Sequence, residues 1–163
     1  MSRYKTWQYW RDEWVKPILY ALAIALFIRT FIAQPFKIPS SSMEPTFMPG
    51  DRIFVNKFIY GAKIPFTDLR LPALREPGKG DIMVFRSPVE RKKFLVKRLI
   101  GLPGDVVEVK NERVEVPADS YYVLGDNSQN SVDSRYWGFV PAKNLAGKVF
   151  FIHWPIRRIR IVK

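Results

Sequence analysis

Cysteine is absent from this 163-residue chain, and histidine occurs once, as His153. Without cysteine there is no disulfide framework, thiol nucleophile, thiolate metal centre or iron–sulfur cluster. A single histidine excludes a two-histidine metal site, and any Ser-His-Asp triad would have to be built on His153. That residue sits in the strand-like run Val149-Phe-Phe-Ile-His-Trp154, where a packed or edge side chain is the commoner role. Acidic residues are also scarce: 15 Asp+Glu stand against 27 Lys+Arg, a formal net charge of +12. No phosphate-cradling glycine-rich loop, internal repeat or low-complexity tract is present. What remains is a chain that is 47% hydrophobic and 15% aromatic, rich enough in apolar residues to fold and of single-domain length. Its charge implies an anionic partner, whether nucleic acid, membrane surface or acidic protein.

The cations are unevenly placed. Pro17 to Ile28 is a run of twelve uncharged residues, and Trp14 to Ala33 spans twenty residues interrupted only by Lys16 and Arg29. As a helix, twenty residues measure about 30 Å, and long basic side chains near either end can reach the interface. Trp7, Trp10 and Trp14 recur at helical spacing ahead of the run, as an interfacial aromatic anchor does. A buried core helix and a secretory leader are the competing readings. Ala21, Ala23 and Ala25 resemble a cleavage site but lie inside the apolar run rather than after it. Arg3, Lys5, Arg11 and Lys16 precede the run, whereas Lys37 alone follows closely. That asymmetry predicts a cytoplasmic interfacial segment over 1–16, a membrane anchor over 17–34 ended by Gln34-Pro35, and an outward-facing domain over 35–163.

Beyond the anchor the pattern is short β-branched and aromatic runs separated by turns. Strands are predicted over 52–59, 81–86, 94–100, 105–109, 121–124, 148–153 and 156–162, with tight turns at Leu102-Pro-Gly-Asp105 and Lys110-Asn-Glu-Arg113. The stretch Gly61 to Gly80, with Pro65, Pro72 and Pro77, reads as a loop, and no helical period of useful length follows residue 33. The predicted fold class is mainly β: one N-terminal transmembrane helix, then an all-β domain of mixed or antiparallel sheets. An open sheet edge in such a domain can accept an extended peptide.

With thiols absent and histidine nearly so, serine and threonine are the candidate nucleophiles. Ser40-Ser41-Ser42 is either a polar linker or a reactive turn. Stiff Pro39 and Pro45 on its flanks are unlike a flexible linker. A serine hydroxyl needs a base, and Lys97 lies in the apolar run Phe94 to Ile100, with Leu95 and Leu99 on its face by the strand period. Burial would favour the neutral amine, while the same pattern also fits an exposed edge lysine that discourages aggregation. Arg98, on the opposite face, reads as structural or solvated. The run Gly125 to Gly138 is the longest polar stretch between strands, and it is either a surface loop or a loop packed around an Asp133–Arg135 ion pair.

Together these segments resemble the bacterial type I signal peptidase family, membrane-bound Ser-Lys enzymes that trim exported preproteins. The matching stretches are Ile38-Pro-Ser-Ser-Ser42-Met-Glu-Pro-Thr46, Gly80-Asp-Ile-Met-Val-Phe85, Val96-Lys97-Arg98-Leu-Ile-Gly-Leu-Pro-Gly-Asp105, and Gly125-Asp-Asn with Asn130-Ser-Val-Asp-Ser-Arg-Tyr-Trp-Gly138, in the family's order. The resemblance implies Ser42 as nucleophile and Lys97 as general base. It implies an oxyanion hole from the Ser42 backbone N–H and the Ser40 hydroxyl, with Ser131 orienting the Lys97 amine and Asp133 with Arg135 supporting the loop. Phe36, Ile38, Met43, Leu95 and Val96 would line shallow pockets for small side chains one and three residues before the cut. It further implies preprotein signal peptides and membrane lipid as partners, action as a monomer, no cofactor, no metal and no nucleic acid. The location implied is a bacterial inner membrane, crossed once, with the catalytic domain on the outer face.

Ser128-Gln129 departs from a common Arg-Asp pair, and Ser41 from a common glycine; the short Lys110–Arg113 turn leaves no room for the extra β-domain of larger members, and their second membrane span is also missing. Two enzyme alternatives share the chemistry: organellar or specialised Ser-Lys processing peptidases, and self-cleaving repressors, whose DNA-binding region is replaced here by an apolar run. A third, non-enzymatic alternative is a membrane-tethered basic protein that binds anionic lipid or nucleic acid. In either membrane reading, Arg157, Arg158, Arg160 and Lys163, with Arg91, Lys92 and Lys93, would face lipid headgroups.

Overall fold

Leucine and alanine make 16–27 a strong helix former, and Pro17 falls in the first turn, where its missing N–H leaves no bond unmade. A computed structural model of the protein describes residues 10–27, 33–61, 71–90, 92–109 and 112–162. Trp7, Arg29, Pro65, Arg91, Lys163 and the turn residues 110 and 111 therefore lie outside the described residues. Helix α1 covers Lys16–Phe27 and is preceded by a π-helical turn over Arg11–Val15. Ile18, Leu19, Tyr20, Leu22, Ile24 and Leu26 are each more than half exposed, so the helix offers apolar side chains that no other described residue covers. At twelve residues it is about 18 Å long. No helix among the described residues is long and apolar enough to cross a membrane.

Strand β1, Ala33–Lys37, begins within the segment that the sequence assigns to the anchor. Pro35 disfavours a helix through its neighbours, and an edge strand tolerates its missing donor. β1 pairs with β2 (Arg52–Asn56) and heads a sheet ordered β1-β2-β9-β3-β4-β7-β8, with β10 (Arg160–Ile161) also paired to β9. The other members are β3 (Ile82–Arg86), β4 (Phe94–Gly101), β7 (Ser120–Leu124), β8 (Val140–Pro141) and β9 (Leu145–Trp154). Every ladder is antiparallel, and register shifts along β2–β9, β3–β9 and β4–β7 curl the sheet. β5 (Val106–Val109) and β6 (Glu112–Glu115) form a separate hairpin.

Some predicted runs are cut short for local reasons. The 52–59 run ends at Asn56, whose Oδ1 accepts from the backbone N–H groups of Phe58 at 2.9 Å and Ile59 at 3.2 Å and starts a single 3₁₀ turn. The 156–162 run is a 3₁₀ turn over Ile156–Arg158 followed by the two-residue β10. A four-residue helix, α2 (Ser134–Trp137), escapes any periodicity test by its length. Its start is marked by Asp133, whose side chain accepts from the Arg135 N–H.

Two apolar clusters hold the sheet. One unites Ile38, Met43 and Phe47 with Ile53, Val55, Ile82, Val84, Val149 and Ile152. The other unites Met83, Phe85, Leu99, Val123, Val140 and Leu145. The first plugs the segment after β1 into the sheet, and that segment carries the serines.

Candidate functional site

The chain leaving β1 is pinned by two backbone hydrogen bonds, Ile38 N–H to the Asp51 carbonyl and Gly50 N–H to the Ile38 carbonyl, both 2.8 Å. Ser40 is extended, and Ser41–Met43 forms one 3₁₀ turn closed by the Glu44 N–H donating to the Ser41 carbonyl at 3.0 Å. Met43 and Phe47 are buried in the first cluster and fix the turn from below. Ser42 is the second residue of that turn, so its N–H is among those that a helix start leaves without an intrahelical partner.

β4 delivers Lys97 to this turn. The side chain is only 3% exposed, and its Nζ donates to Ser42 Oγ at 2.5 Å across 55 residues of sequence. Burial lowers the amine's pKa to about 8 from the usual 10.5, against the opposing pull of Asp133 and Asp126. Ser40 Oγ lies 3.4 Å from Ser42 Oγ, at the long end for a hydrogen bond, on the exposed side of the turn.

The 125–135 loop closes the other side. Asp133 is fully buried and gathers the loop: its Oδ2 accepts from Gly125 N–H at 2.9 Å, Ser131 Oγ at 2.7 Å and Arg135 Nη2 at 2.9 Å, while Oδ1 accepts from Arg135 Nε at 2.8 Å. Burial raises its pKa, but Arg135 and the other donors outweigh that and hold it below the usual carboxylate range. Ser131 thus spends its hydroxyl proton on Asp133, and no hydrogen bond between Ser131 and Lys97 occurs among the described residues. What Ser131 can offer the amine is an oxygen lone pair, held in place by Asp133.

Three contributors here were given no role at the site from the sequence, where Arg98 read only as structural or solvated. A Cβ on Gly125 would collide with the Ser131 side chain and come within 2.5 Å of the Ser42 carbonyl oxygen, so loop and turn meet where only glycine fits. Asn127 ties them again, its backbone N–H donating to the Ser42 carbonyl at 3.1 Å and its Nδ2 to the Ser41 carbonyl at 3.2 Å. Arg98 forks onto Asp126, with Nε–Oδ1 and Nη2–Oδ2 both 2.7 Å, and also donates to the Gly80 carbonyl and Thr46 Oγ1. Glycine next to Asp and Asn is the one signal the sequence carried for this junction. Nothing local could pair Arg98 with a carboxylate 28 residues away.

Of the apolar candidates, Ile38 and Met43 are buried in the core, leaving Phe36, Leu95 and Val96 as the half-buried members. Phe36 meets Phe94 edge-on at 5.6 Å between ring centroids. β4 pairs with β7 from Arg98 onward, so its Phe94–Lys97 half has β3 on one side and, among the described residues, no strand on the other. His153 lies away from these residues, stacked on Phe54 at 4.3 Å.

Comparison with known proteins adds an independent line. The family described as "Signal peptidase, peptidase S26" matches residues 11–116 and 112–154. A probable signal peptidase I-2 from Synechocystis is 38% identical over 175 residues, covering 90% of this chain and 75% of the relative. The Signal peptidase I of Pseudomonas aeruginosa is 33% identical over 207 residues, covering 88% and 73%. Signal peptidase I P of Bacillus subtilis subsp. natto is 34% identical over 186 residues, covering 93% of both chains.

Proposed function

The chain belongs to the signal peptidase S26 family of serine endopeptidases that remove signal peptides, and from that premise we propose that Ser42 is its nucleophile and Lys97 its general base. The observation that carries this reading is the 2.5 Å contact between Ser42 Oγ and a buried amine whose pKa is lowered to about 8. In its neutral form the Lys97 amine takes the Ser42 hydroxyl proton as Oγ attacks the scissile carbonyl. The Ser42 N–H and the Ser40 hydroxyl stabilise the oxyanion. Lys97 then returns its proton to the departing amine, leaving an acyl-enzyme at Ser42. It next removes a proton from the water that hydrolyses the ester.

An extended substrate segment fits along the edge of the Phe94–Lys97 half of β4 that β7 does not cover, where main-chain hydrogen bonds would hold it and Phe36, Leu95 and Val96 would admit small side chains near the cut. A small-x-small motif is the sequence such shallow surfaces select. The uncovered apolar side chains of α1 support a tether that embeds residues N-terminal to β1 in the inner membrane, with the β-domain on the outer face.

Purified protein in detergent is expected to cleave a preprotein after a small-x-small motif. Ser42→Ala and Lys97→Ala should each abolish cleavage while the circular dichroism of the fold is kept. Full activity in either variant overturns the dyad. Resistance of the chain to alkaline carbonate extraction from membranes tests the tether separately.

A further inference from the structure

Beyond Trp154 the chain passes through a 3₁₀ turn over Ile156–Arg158, and β10 then runs antiparallel along β9. Val162 packs into the same apolar cluster as Met43 and Phe47, so this return is seated against the serine segment. It brings two arginines with it, both beyond residue 154, where the family match ends. Arg158 Nε donates to both oxygens of the buried Asp51 carboxylate, at 3.0 and 3.1 Å, and its Nη2 donates to the Thr46 carbonyl at 3.3 Å. Arg160 Nη2 donates to the same carbonyl at 2.7 Å. Asp51 closes the loop that carries Ser42: its carbonyl accepts from Ile38 N–H at 2.8 Å, and its Oδ2 accepts from Met48 N–H at 2.9 Å. Thr46 carries the brace across to β4, because its Oγ1 accepts from Arg98 Nη2 at 3.3 Å and Arg98 is the residue after Lys97.

We propose that Arg158 is a positioning residue for Ser42, anchoring Asp51 and Thr46 so that the serine loop keeps its distance from Lys97. The proposal rests on the dyad reading above. A guanidinium suits this place because its separate, planar N–H groups reach a carboxylate and a carbonyl at once, whereas an ammonium has no fixed second donor. Asp51 is desolvated, so removing its cation leaves a buried charge that must find water or another partner, and the loop end it fixes moves with it. A shift there reaches Ser42 by a short path. Phe47 N–H donates to the Met43 carbonyl at 2.8 Å, and Met43 is the residue after Ser42.

Arg158→Gln, Arg158→Lys and Arg157→Gln are compared in the full-length protein, by steady-state cleavage of a soluble peptide well below the melting temperature and by backbone hydrogen exchange. Misplacing a reacting group by about 1 Å costs on the order of 10²-fold in rate, so a brace acting through Asp51 and Thr46 should be worth about tenfold or more in kcat. Arg158→Gln is expected to show that loss with KM held within about twofold, the split that marks an interaction realised in the transition state. Exchange should quicken over residues 41–51 and stay unchanged over β3 and β4. Arg158→Lys, which keeps the ion pair without the bond to Thr46, should give an intermediate kcat. Arg157→Gln makes the same charge change at an exposed neighbour and should leave both measurements as they are. A wild-type kcat in Arg158→Gln overturns the proposal, as does a lowered kcat with exchange over 41–51 unchanged, or an equal loss in Arg157→Gln. If Arg158→Gln does not fold, Arg158→Lys carries the test, and a wild-type kcat there overturns the proposal. Exchange is also read in the Ser42→Ala background, where no catalysis is required. Full cleavage by Ser42→Ala fails the dyad alone, and unchanged exchange in Ser42→Ala/Arg158→Gln fails the brace alone.

Discussion

Lys97 carries the sharpest chemical consequence at the scale of one residue. Its pKa near 8 means that a growing fraction of the amine is free base as pH passes from 7 to 9, whereas an ordinary lysine near 10.5 stays charged. We expect kcat/KM on a soluble peptide to rise through an apparent pKa of about 8; a profile flat from pH 6 to 9 would remove Lys97 as the base. The same shift acts on stability. Below pH 8 the folded protein holds a buried ammonium that the unfolded chain holds in water, and above 10.5 neither state is charged. Lys97→Met should therefore be inactive yet more stable at pH 7, by ~1–3 kcal/mol in urea unfolding, with the advantage fading between pH 8 and 10.5. The sequence shows Lys97 in an apolar strand. It leaves open the exposed-edge alternative, because the partner that defines the residue's environment is 55 positions away.

At the scale of elements, the junction of the serine turn and the 125–135 loop positions Ser42. Gly125 is the contact point, and Gly125→Ala would push Ser131 and the Ser42 carbonyl apart. Displacements of this size at a reacting group cost about 10²-fold in rate, so kcat should fall by that order while KM changes little and the melting temperature drops modestly. Undiminished kcat would show that the junction tolerates movement. The strand runs over 81–86, 94–100 and 121–124 were legible as short β-branched and aromatic stretches between turn residues, and β3 is buried along nearly its whole length rather than alternating. β1 was not: residues 33 and 34 read as the end of the anchor and Gln34-Pro35 as its helix stop, and the segment becomes a strand because it pairs with β2. α2 was hidden by its four residues and by Asp133, which caps the helix while accepting from Ser131 and Gly125.

For the whole molecule, the apolar core among the described residues lies within the β-domain. None of the apolar clusters contains a residue of α1. A chain beginning at residue 33 should keep its melting temperature within a few degrees and still cleave soluble peptide, while leaving the membrane fraction; a collapsed melt would show that the helix supports the fold. The charge is likewise divided. Arg158 is drawn inward, its Nε donating to Asp51 at 3.0 and 3.1 Å, and Arg160 Nη2 donates to the Thr46 carbonyl at 2.7 Å. Two of the basic residues expected to face headgroups therefore brace the segment just after the serines.

The position of β9 in the sheet governs when Ser42 and Lys97 can meet. β2 and β3 do not pair with each other; β9 lies between them, so Ser42 on the β1–β2 side and Lys97 on the β3–β4 side belong to halves joined by residues 145–154. During synthesis both reactive residues emerge long before that strand does. On the dyad proposed above, a growing chain would carry the serine and the lysine apart until its last long strand has slotted in. Strand order would then set a delay between the synthesis of the two residues and their meeting, a delay built from topology alone.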